Sequence, residues 1–386
     1  MAAATRLCVW PDKRNAWFPS FETGGARRPS HGLQAQNRLT VASPARLRTL
    51  PGPMSSPLRV VSFGLGPIGL AAARLALQKT SIQLVGAIDI DAGKIGRDLG
   101  ELLELGKKTG VIVEGDAEKA LKRLQPDVML HCTSSFMPMV KDQLLLAARC
   151  GVDVVSSTEE LLVPEFQHAA LAKELDAAAK AGGVSLLGTG VNPGYAMDFI
   201  AVVASAVTFD VQAVKCTRVV DAGTRRLPLQ KKVGAGLTRS EFQQQMATGR
   251  FGHIGMRESV ALLAKALAFK LDKIEQTVEP VIAAEDHKTA FLTVKEGQVA
   301  GIRNHGYGYI GKRPVLHLDL SMYVGAPDPR DEVVLESTPP IHLKFHGGIA
   351  GDQATAAILV NNLHGIVAAQ PGLRTVLDVA PPRLCR

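Results

Sequence analysis

The chain lacks any apolar run long enough to span a bilayer as a helix: its longest apolar stretches are broken by Gly, Lys or Arg. Cysteine is scarce. Cys8, Cys132, Cys150, Cys216 and Cys385 make an odd count of five with no Cys-x-x-Cys pair. That pattern speaks against a disulfide framework and a zinc site, and for a reducing compartment. No GxxxxGK[ST], HExxH or GxSxG motif and no run of metal ligands occurs, which removes the P-loop, zincin and α/β-hydrolase chemistries. Aromatics amount to 5%, and both tryptophans, Trp10 and Trp17, lie near the N-terminus. The body of the chain also lacks an excess of one charge. The net charge is +8, but residues 1–57 hold eight basic residues against only Asp12 and Glu22, so +6 belongs to them. The remainder is nearly neutral, which argues against a nucleic-acid surface.

That first segment, 1–57, has many chain breakers and no helical or alternating period. It reads as a disordered or processed leader: an Arg-rich, acid-poor transit peptide, or sequence ahead of a start at Met54. The expected location is cytoplasmic, or organellar if the leader is a transit peptide.

What the sequence does contain, at 46% hydrophobic and 21% charged over 386 residues, is enough material for two domains. The apolar segment 58–64 predicts a β-strand. It runs through Gly64-Leu65-Gly66-Pro67-Ile68-Gly69 into a predicted helix over 68–78. A strand that meets a helix N-terminus through such a turn leaves backbone N–H groups and the positive end of the helix dipole facing outward, where they hold a pyrophosphate. Gly64 permits the turn, Gly66 lets the backbone approach the phosphates, and Gly69 lets helix and strand pack closely. Asp89 ends a second strand, 82–89, twenty residues beyond Gly69, where an acid meets the adenosine ribose. Dinucleotide binding follows, with NAD or NADP as cofactor. Asp89 favours NAD, whereas Lys94 and Arg97 suit a 2′-phosphate.

Strands and helices alternate up to about residue 187. Strands are expected at 110–114, 127–132, 153–156 and 184–188, and helices at 95–105, 117–124, 137–150 and 166–181. The fold class is α/β: a Rossmann doubly wound parallel sheet. After Asn192-Pro193-Gly194 the pattern changes. A helix at 197–206 precedes strands at 212–221, 277–284, 288–294, 299–309, 314–324 and 340–345, with helices at 240–248 and 256–269. This predicts a second α+β domain of mostly antiparallel sheet. The expected division is 58–194 for the dinucleotide, 195–346 for substrate and dimerisation, and 347–386 for a C-terminal helix, 352–363, returning to the cleft.

In an open parallel sheet, ligands sit past the carboxyl ends of the strands. Three loops qualify. Thr133, Ser134 and Ser135 either line the ribose and nicotinamide or cap a helix. Glu159 and Glu160 follow the fifth strand, with Thr158 as a cap or a substrate neighbour. A carboxylate in a partly dry cleft accepts and returns protons near neutral pH; the alternative is a pair of acids favouring a helix dipole. Asn192 and Pro193 follow the sixth strand, to position the nicotinamide carboxamide or the substrate, or simply to turn the chain. Further on, Thr355 lines the pocket in the turn that Asp352 caps. Arg225-Arg226 reads as solvated turn charge, with a substrate carboxylate as the other reading. His253, His305, Tyr307 and Tyr309 in the second domain are further candidates, the histidines reading first as structural. No metal is expected.

Taken together, Gly64-Leu-Gly-Pro-Ile-Gly69, Ala87-Ile-Asp-Ile-Asp91, Ser157-Thr-Glu-Glu-Leu161, Gly190-Val-Asn-Pro-Gly194 and Gly351-Asp-Gln-Ala-Thr-Ala-Ala357 resemble the 2,4-diaminopentanoate dehydrogenases and related native amine dehydrogenases, over nearly all of 58–386. The resemblance implies NAD(P)-dependent oxidative deamination of an amine, or in reverse the reductive amination of a small ketone or aldehyde with ammonia. It implies a cleft glutamate that holds ammonia or the amine, at Glu159 by motif position and otherwise Glu160, and a homodimer joined through the second domain. The rival readings are a dihydrodipicolinate reductase-type enzyme, whose His-His-x-x-Lys run is missing here, and a dinucleotide-binding sensor without turnover. A sugar dehydrogenase would want Glu-Lys-Pro where Glu159-Glu160-Leu161 stands.

Overall fold

The computed structural model describes residues 56–248 and 251–386. The leader reading, with Cys8, Trp10 and Trp17, thus falls almost wholly outside the described residues. No helix among the described residues is long and apolar enough to cross a membrane.

The N-terminal half is a parallel sheet with helices between its strands. Its strands are β1 (Leu58–Phe63), β2 (Ile82–Ile88), β3 (Val113–Glu114), β4 (Val128–His131), β5 (Asp153–Ser156) and β6 (Ser185–Gly188); its helices are α1 (Pro67–Ala76), α2 (Leu99–Leu102), α3 (Ala117–Leu124), α4 (Met137–Arg149) and α5 (Pro164–Gly182). The strands β4, β5 and β6 are buried along their whole length, as parallel strands covered on both faces must be. Two apolar clusters fill the two sides of the sheet: Val60, Leu130, Val155 and Leu187 point into one, and Val61, Met129, Val154 and Leu186 into the other. This alternation is the two-residue period of a strand read on both faces.

The chain then passes α6 (Phe199–Ser205) into β7 (Asp210–Asp221). After α7 (Leu227–Lys232), α8 (Arg239–Ala247) and α9 (Met256–Ala266) come β8 (Lys273–Ile282), the two-residue strands β9 (His287–Lys288) and β10 (Thr293–Val294), β11 (Val299–Ile310), β12 (Arg313–Tyr323), β13 (Arg330–Thr338) and β14 (Ile341–His346). Six of these strands form a mixed sheet in the order β14-β13-β7-β12-β11-β8, antiparallel except for the β7–β12 pair. α6 and α9 bury one face of it through Ile200, Met256, Val260 and Leu263.

The final helix α10 (Gly351–Ala368) leads back and packs on α1, and β15 (Gly372–Arg374) pairs with β6. The parallel sheet is therefore seven-stranded, β15-β6-β5-β4-β1-β2-β3.

Some expectations differ from this. The strand expected over 288–294 is the β9–β10 hairpin, and the helix expected over 95–105 is a turn followed by the four residues of α2. Asp98 explains the latter. Its carboxylate collects the amides of Gly100, Thr109 and Gly110 at 2.7–2.9 Å and so folds 98–110 into a loop. Strand β13 had no expectation at all. In the sheet, Asp331, Val333 and Leu335 point inward. The buried Asp331 carboxylate is accommodated by Arg218 at 2.7 Å, and a buried charge needs such a partner.

Candidate active site

The carboxyl ends of β1, β4, β5 and β6 open onto a cavity of about 440 Å³ whose far wall comes from β7, α7 and the start of α10. On the sheet side, Gly66 is the N-cap of α1 and makes no side-chain capping bond. A Cβ built on Gly66 would meet nothing within 4 Å, whereas one on Gly69 would lie 1.8 Å from the Gly64 carbonyl oxygen. Gly64 itself has φ +89° and packs against the Cys132 carbonyl. The turn thus requires glycine at 64 and 69 and leaves an open approach at 66, with the first amides of α1 lacking intrahelical acceptors. This is a cradle that fits a dinucleotide pyrophosphate. Gly66, Pro67 and Ile68 line the cavity, and Gly64 and Gly69 shape the turn from beneath.

Thr133, Ser134 and Ser135 also line it. Their loop is held from below by a residue the sequence did not single out. His131 is fully buried, and its Nδ1 meets Ser156 Oγ at 2.8 Å while Nε2 meets Gln143 Oε1 at 2.7 Å and Thr133 Oγ1 at 3.0 Å. Burial pushes its pKa down to about 4, so the imidazole is neutral. Ser156 continues the network by donating to Thr158 Oγ1, which donates to the Ser134 carbonyl at 2.8 Å. Thr158 is therefore a buried strut under the loop and does not line the cavity.

The two adjacent glutamates part company. Glu159 lines the cavity. Burial pushes its carboxyl above the usual value, and the Lys232 ammonium and a hydrogen bond with Ser135 oppose that rise. Glu160 points the other way: its Oε2 accepts the Met137 amide at 2.7 Å and lies 2.9 Å from His168 Nε2. It serves the first turn of α4, where a carboxylate suits the helix dipole. A short 3-10 turn over Glu159–Leu162 separates the two side chains.

Asn192 and Pro193 line the cavity beside Thr189 and Gly190. Asp198, fully buried, ties this loop to α9 by accepting from the Gly194 amide at 2.8 Å and from Ser259 Oγ at 2.6 Å. A Cβ on Gly255 would strike the Pro193 ring at 2.4 Å, so the start of α9 lies directly on that proline. Thr355 lines the cavity from α10 and lies 3.4 Å from the Val191 amide. Asn192 Nδ2, Thr189 Oγ1 and His253 Nε2 are buried without a hydrogen-bond partner among the described residues. Orphaned polar atoms around one cavity are what a bound ligand would satisfy.

The far wall carries the cations Arg218, Arg225, Arg226 and Lys232 around His253. The expectation that Arg225-Arg226 is solvated turn charge is corrected here. Both side chains turn into the cavity rim and share Asp352, Arg225 Nη2 at 3.1 Å and Arg226 Nε at 2.9 Å. Burial, with Lys232 and Arg218 nearby, pushes His253 down to about 3, so it is a neutral donor and acceptor. Asp89 stands outside the cavity, at the end of β2, where its Oδ2 accepts the Leu65 amide at 2.7 Å. Of the expected residues, Glu160, Thr158, Gly64, Gly69 and Asp89 thus sit behind or beside the cavity, and the others line it.

Comparison with known proteins places the two halves differently. Residues 195–385 match the family model of the 2,4-diaminopentanoate dehydrogenase C-terminal domain, and residues 58–183 that of the dihydrodipicolinate reductase N-terminus. A 2,4-diaminopentanoate dehydrogenase of Acetoanaerobium sticklandii is 31% identical over 84% of this chain and 94% of its own length. An amine dehydrogenase of Streptomyces virginiae is 27% identical, covering 83% and 96%. Among solved structures, an amine dehydrogenase from Mycobacterium smegmatis aligns with a TM-score of 0.76 at 26% identity, covering 85% of this chain and 98% of that one.

Proposed function

The chain belongs to the 2,4-diaminopentanoate dehydrogenase and amine dehydrogenase family, and on that premise we propose that Glu159 is the group around which its chemistry turns. The protein is an NAD(P)-dependent oxidoreductase acting on an amine. It deaminates the amine oxidatively or, in reverse, aminates a small ketone or aldehyde with ammonia. The bound nicotinamide supplies or accepts hydride; everything else falls to the chain.

The observation that carries the reading is Glu159 in the cavity wall at the carboxyl end of β5, opposite Lys232. Its carboxylate holds ammonia or the amine, takes up a proton as the carbinolamine forms, and returns one as water leaves. It then lies beside the cationic iminium carbon and stabilises it by charge. Thr133–Ser135 and Asn192 orient the cofactor. Pro193 and Thr355 shape the space for the substrate. Arg225 and Lys232, with neutral His253, suit a substrate whose carbon chain ends in a carboxylate. Residues 58–194 serve the dinucleotide, 195–346 the substrate and the dimer contact, and 347–386 close the cleft through α10.

A homodimer is proposed through the second sheet. Its face opposite α6 and α9 carries His305, Tyr307 and His317 as stacked rings, with Tyr307 and His317 centroids 4.6 Å apart. Sedimentation of the purified chain tests this, and a monomer at micromolar concentration would remove it. Cytoplasm, or an organelle if the basic residues 1–57 act as a targeting segment, is the proposed compartment, to be read from an import assay of a fusion to those residues.

The deciding experiment is NADH and NADPH oxidation with small ketones and oxo acids, with and without concentrated ammonium at alkaline pH. Oxidation that requires ammonium is expected. Oxidation without it would make the protein a carbonyl reductase.

A further inference from the structure

Gly64 and Gly69 answer to the backbone of the turn they make. Gly351 does not. It is the first residue of α10, and its φ is not among the positive ones, so alanine is conformationally free there and is the better helix former. What a Cβ at 351 would meet is a single side chain. The three nearest atoms all belong to the Arg225 guanidinium: Nη2 at 2.8 Å, Nη1 at 2.9 Å and Cζ at 3.3 Å, inside ordinary contact distance. The guanidinium thus lies against the bare start of α10, and from there Nη2 reaches Asp352 Oδ1 at 3.1 Å.

The main chain is fixed on both sides of this contact. The Arg225 amide donates to the Ala222 carbonyl at 3.1 Å, and the Arg225 carbonyl accepts from Gln230 Nε2 at 2.8 Å. Gln230 is fully buried, and its Oε1 accepts from Thr289 Oγ1, in the turn between β9 and β10, at 3.0 Å. Across the contact, the Ala354 amide donates to the Ala350 carbonyl at 2.8 Å, and α10 is packed into the core beside α1. A methyl group at 351 therefore displaces the guanidinium, the far end of a flexible side chain, and leaves both backbones in place. There is room for it to move. Arg225, Gly351 and Asp352 line the active-site cavity and also a second cavity of about 540 Å³, walled further by Asp221, Thr224 and Gly347.

We propose that Gly351 is a specificity-determining residue of the charged wall. By carrying no side chain it seats the Arg225 guanidinium at the rim, where that group meets the carboxylate of a substrate. Gly351 is a positioning residue: it acts through Arg225. This rests on the reading of Arg225 as the partner of a substrate carboxylate, and adds what sets the place of that side chain.

Steady-state kinetics of the full chain with a γ-oxo acid and the neutral ketone of the same length test this, for Gly351→Ala, Arg225→Gln and the double variant. Gly351→Ala is expected to raise KM for the oxo acid about tenfold relative to the ketone. The kcat values of the two substrates should change in step, and Tm should not fall. In the Arg225→Gln background, Gly351→Ala should no longer move the KM ratio, because the group it acts through is gone. A ratio that Arg225→Gln raises and Gly351→Ala leaves alone overturns the inference and keeps the carboxylate reading. A ratio that Arg225→Gln leaves alone removes that reading and this inference with it. A lowered Tm with parallel KM rises would make Gly351 a requirement of the fold, and a full effect in the Arg225→Gln background would mean that it acts without the arginine; either overturns the proposal. A protein that reduces both substrates without ammonium loses the amine reading, and the KM ratio still decides this one.

Discussion

The two walls of the cavity are built on opposite principles. The parallel-sheet wall works through backbone and small side chains: the open Gly66, the hydroxyls of Thr133 to Ser135, the Asn192 amide, and one acid, Glu159. The opposite wall works through charge: Arg218, Arg225, Arg226 and Lys232 around neutral His253. The first wall is assembled from loops that each follow a strand directly, so its geometry is local. The second is held by partners far apart in the chain, Arg218 with Asp331 at a separation of 113 residues and Arg226 with Asp352 at 126. A local wall suits a ligand of fixed shape, and a wall of long-range ion pairs suits recognition of whatever anion the substrate carries.

The most severe way to break this contrast is to remove the acid from the neutral wall. Glu159→Gln is expected to lower ammonium-dependent turnover about 10²- to 10⁴-fold, while nicotinamide fluorescence still reports cofactor binding. Glu160→Gln should spare most of the turnover and instead lower stability by about 1 kcal/mol, read as a drop in Tm. Equal kinetic losses in both variants would erase the distinction between the neighbours.

The walls are joined by α10, which starts in the cavity and buries Leu363 against α1 with no exposure. Leu363→Ala should cost about 2–5 kcal/mol in urea unfolding. A value under about 1 kcal/mol would mean that α10 is not part of the core.

On the charged wall, Arg225→Gln should raise KM about ten- to a hundredfold for an oxo acid relative to the neutral ketone of the same length. A parallel change for both substrates would return Arg225 to a structural part.

The smallest effect expected is a shift in pH profile. Burial raises the Glu159 carboxyl and Lys232 opposes that rise. The ionised form is the active one, so activity falls as pH drops through the raised value. Lys232→Met removes the opposing charge and should move this acid limb to higher pH. His253, held near 3 by burial, should add no limb of its own. A limb that stays in place would mean that Glu159 does not report the cation across the cavity.

Much of the parallel sheet was legible, because its strands are short apolar segments separated by helices and each ends in a marked loop. The glycine turn was legible for the same reason: the spacing of Gly64, Gly66 and Gly69 is itself the geometric requirement. The choice between Glu159 and Glu160 was open, since adjacent residues in a 3-10 turn point to different sides and only the Met137 amide and His168 decide which side is which. His131 carried no local signal; its place under the Thr133 loop depends on Gln143 and Ser156 from neighbouring elements. Strand β13 went unexpected; its inward aspartate is neutralised by an arginine on another strand, a pairing that its own segment does not show.

The sequence by itself determined the dinucleotide cradle, the alternation that makes a parallel sheet, and the family, because all three are written in local spacing of glycine, apolar residues and motif acids. Only the tertiary structure decided which glutamate faces the cavity, that Arg225 and Arg226 belong to its rim, and that Asp89 arrives already paired with Lys94. Those outcomes depend on which charges meet across the folded chain, and the free energy of a charge is set by its partners and its distance from water, neither of which is a property of the residue's neighbours in sequence.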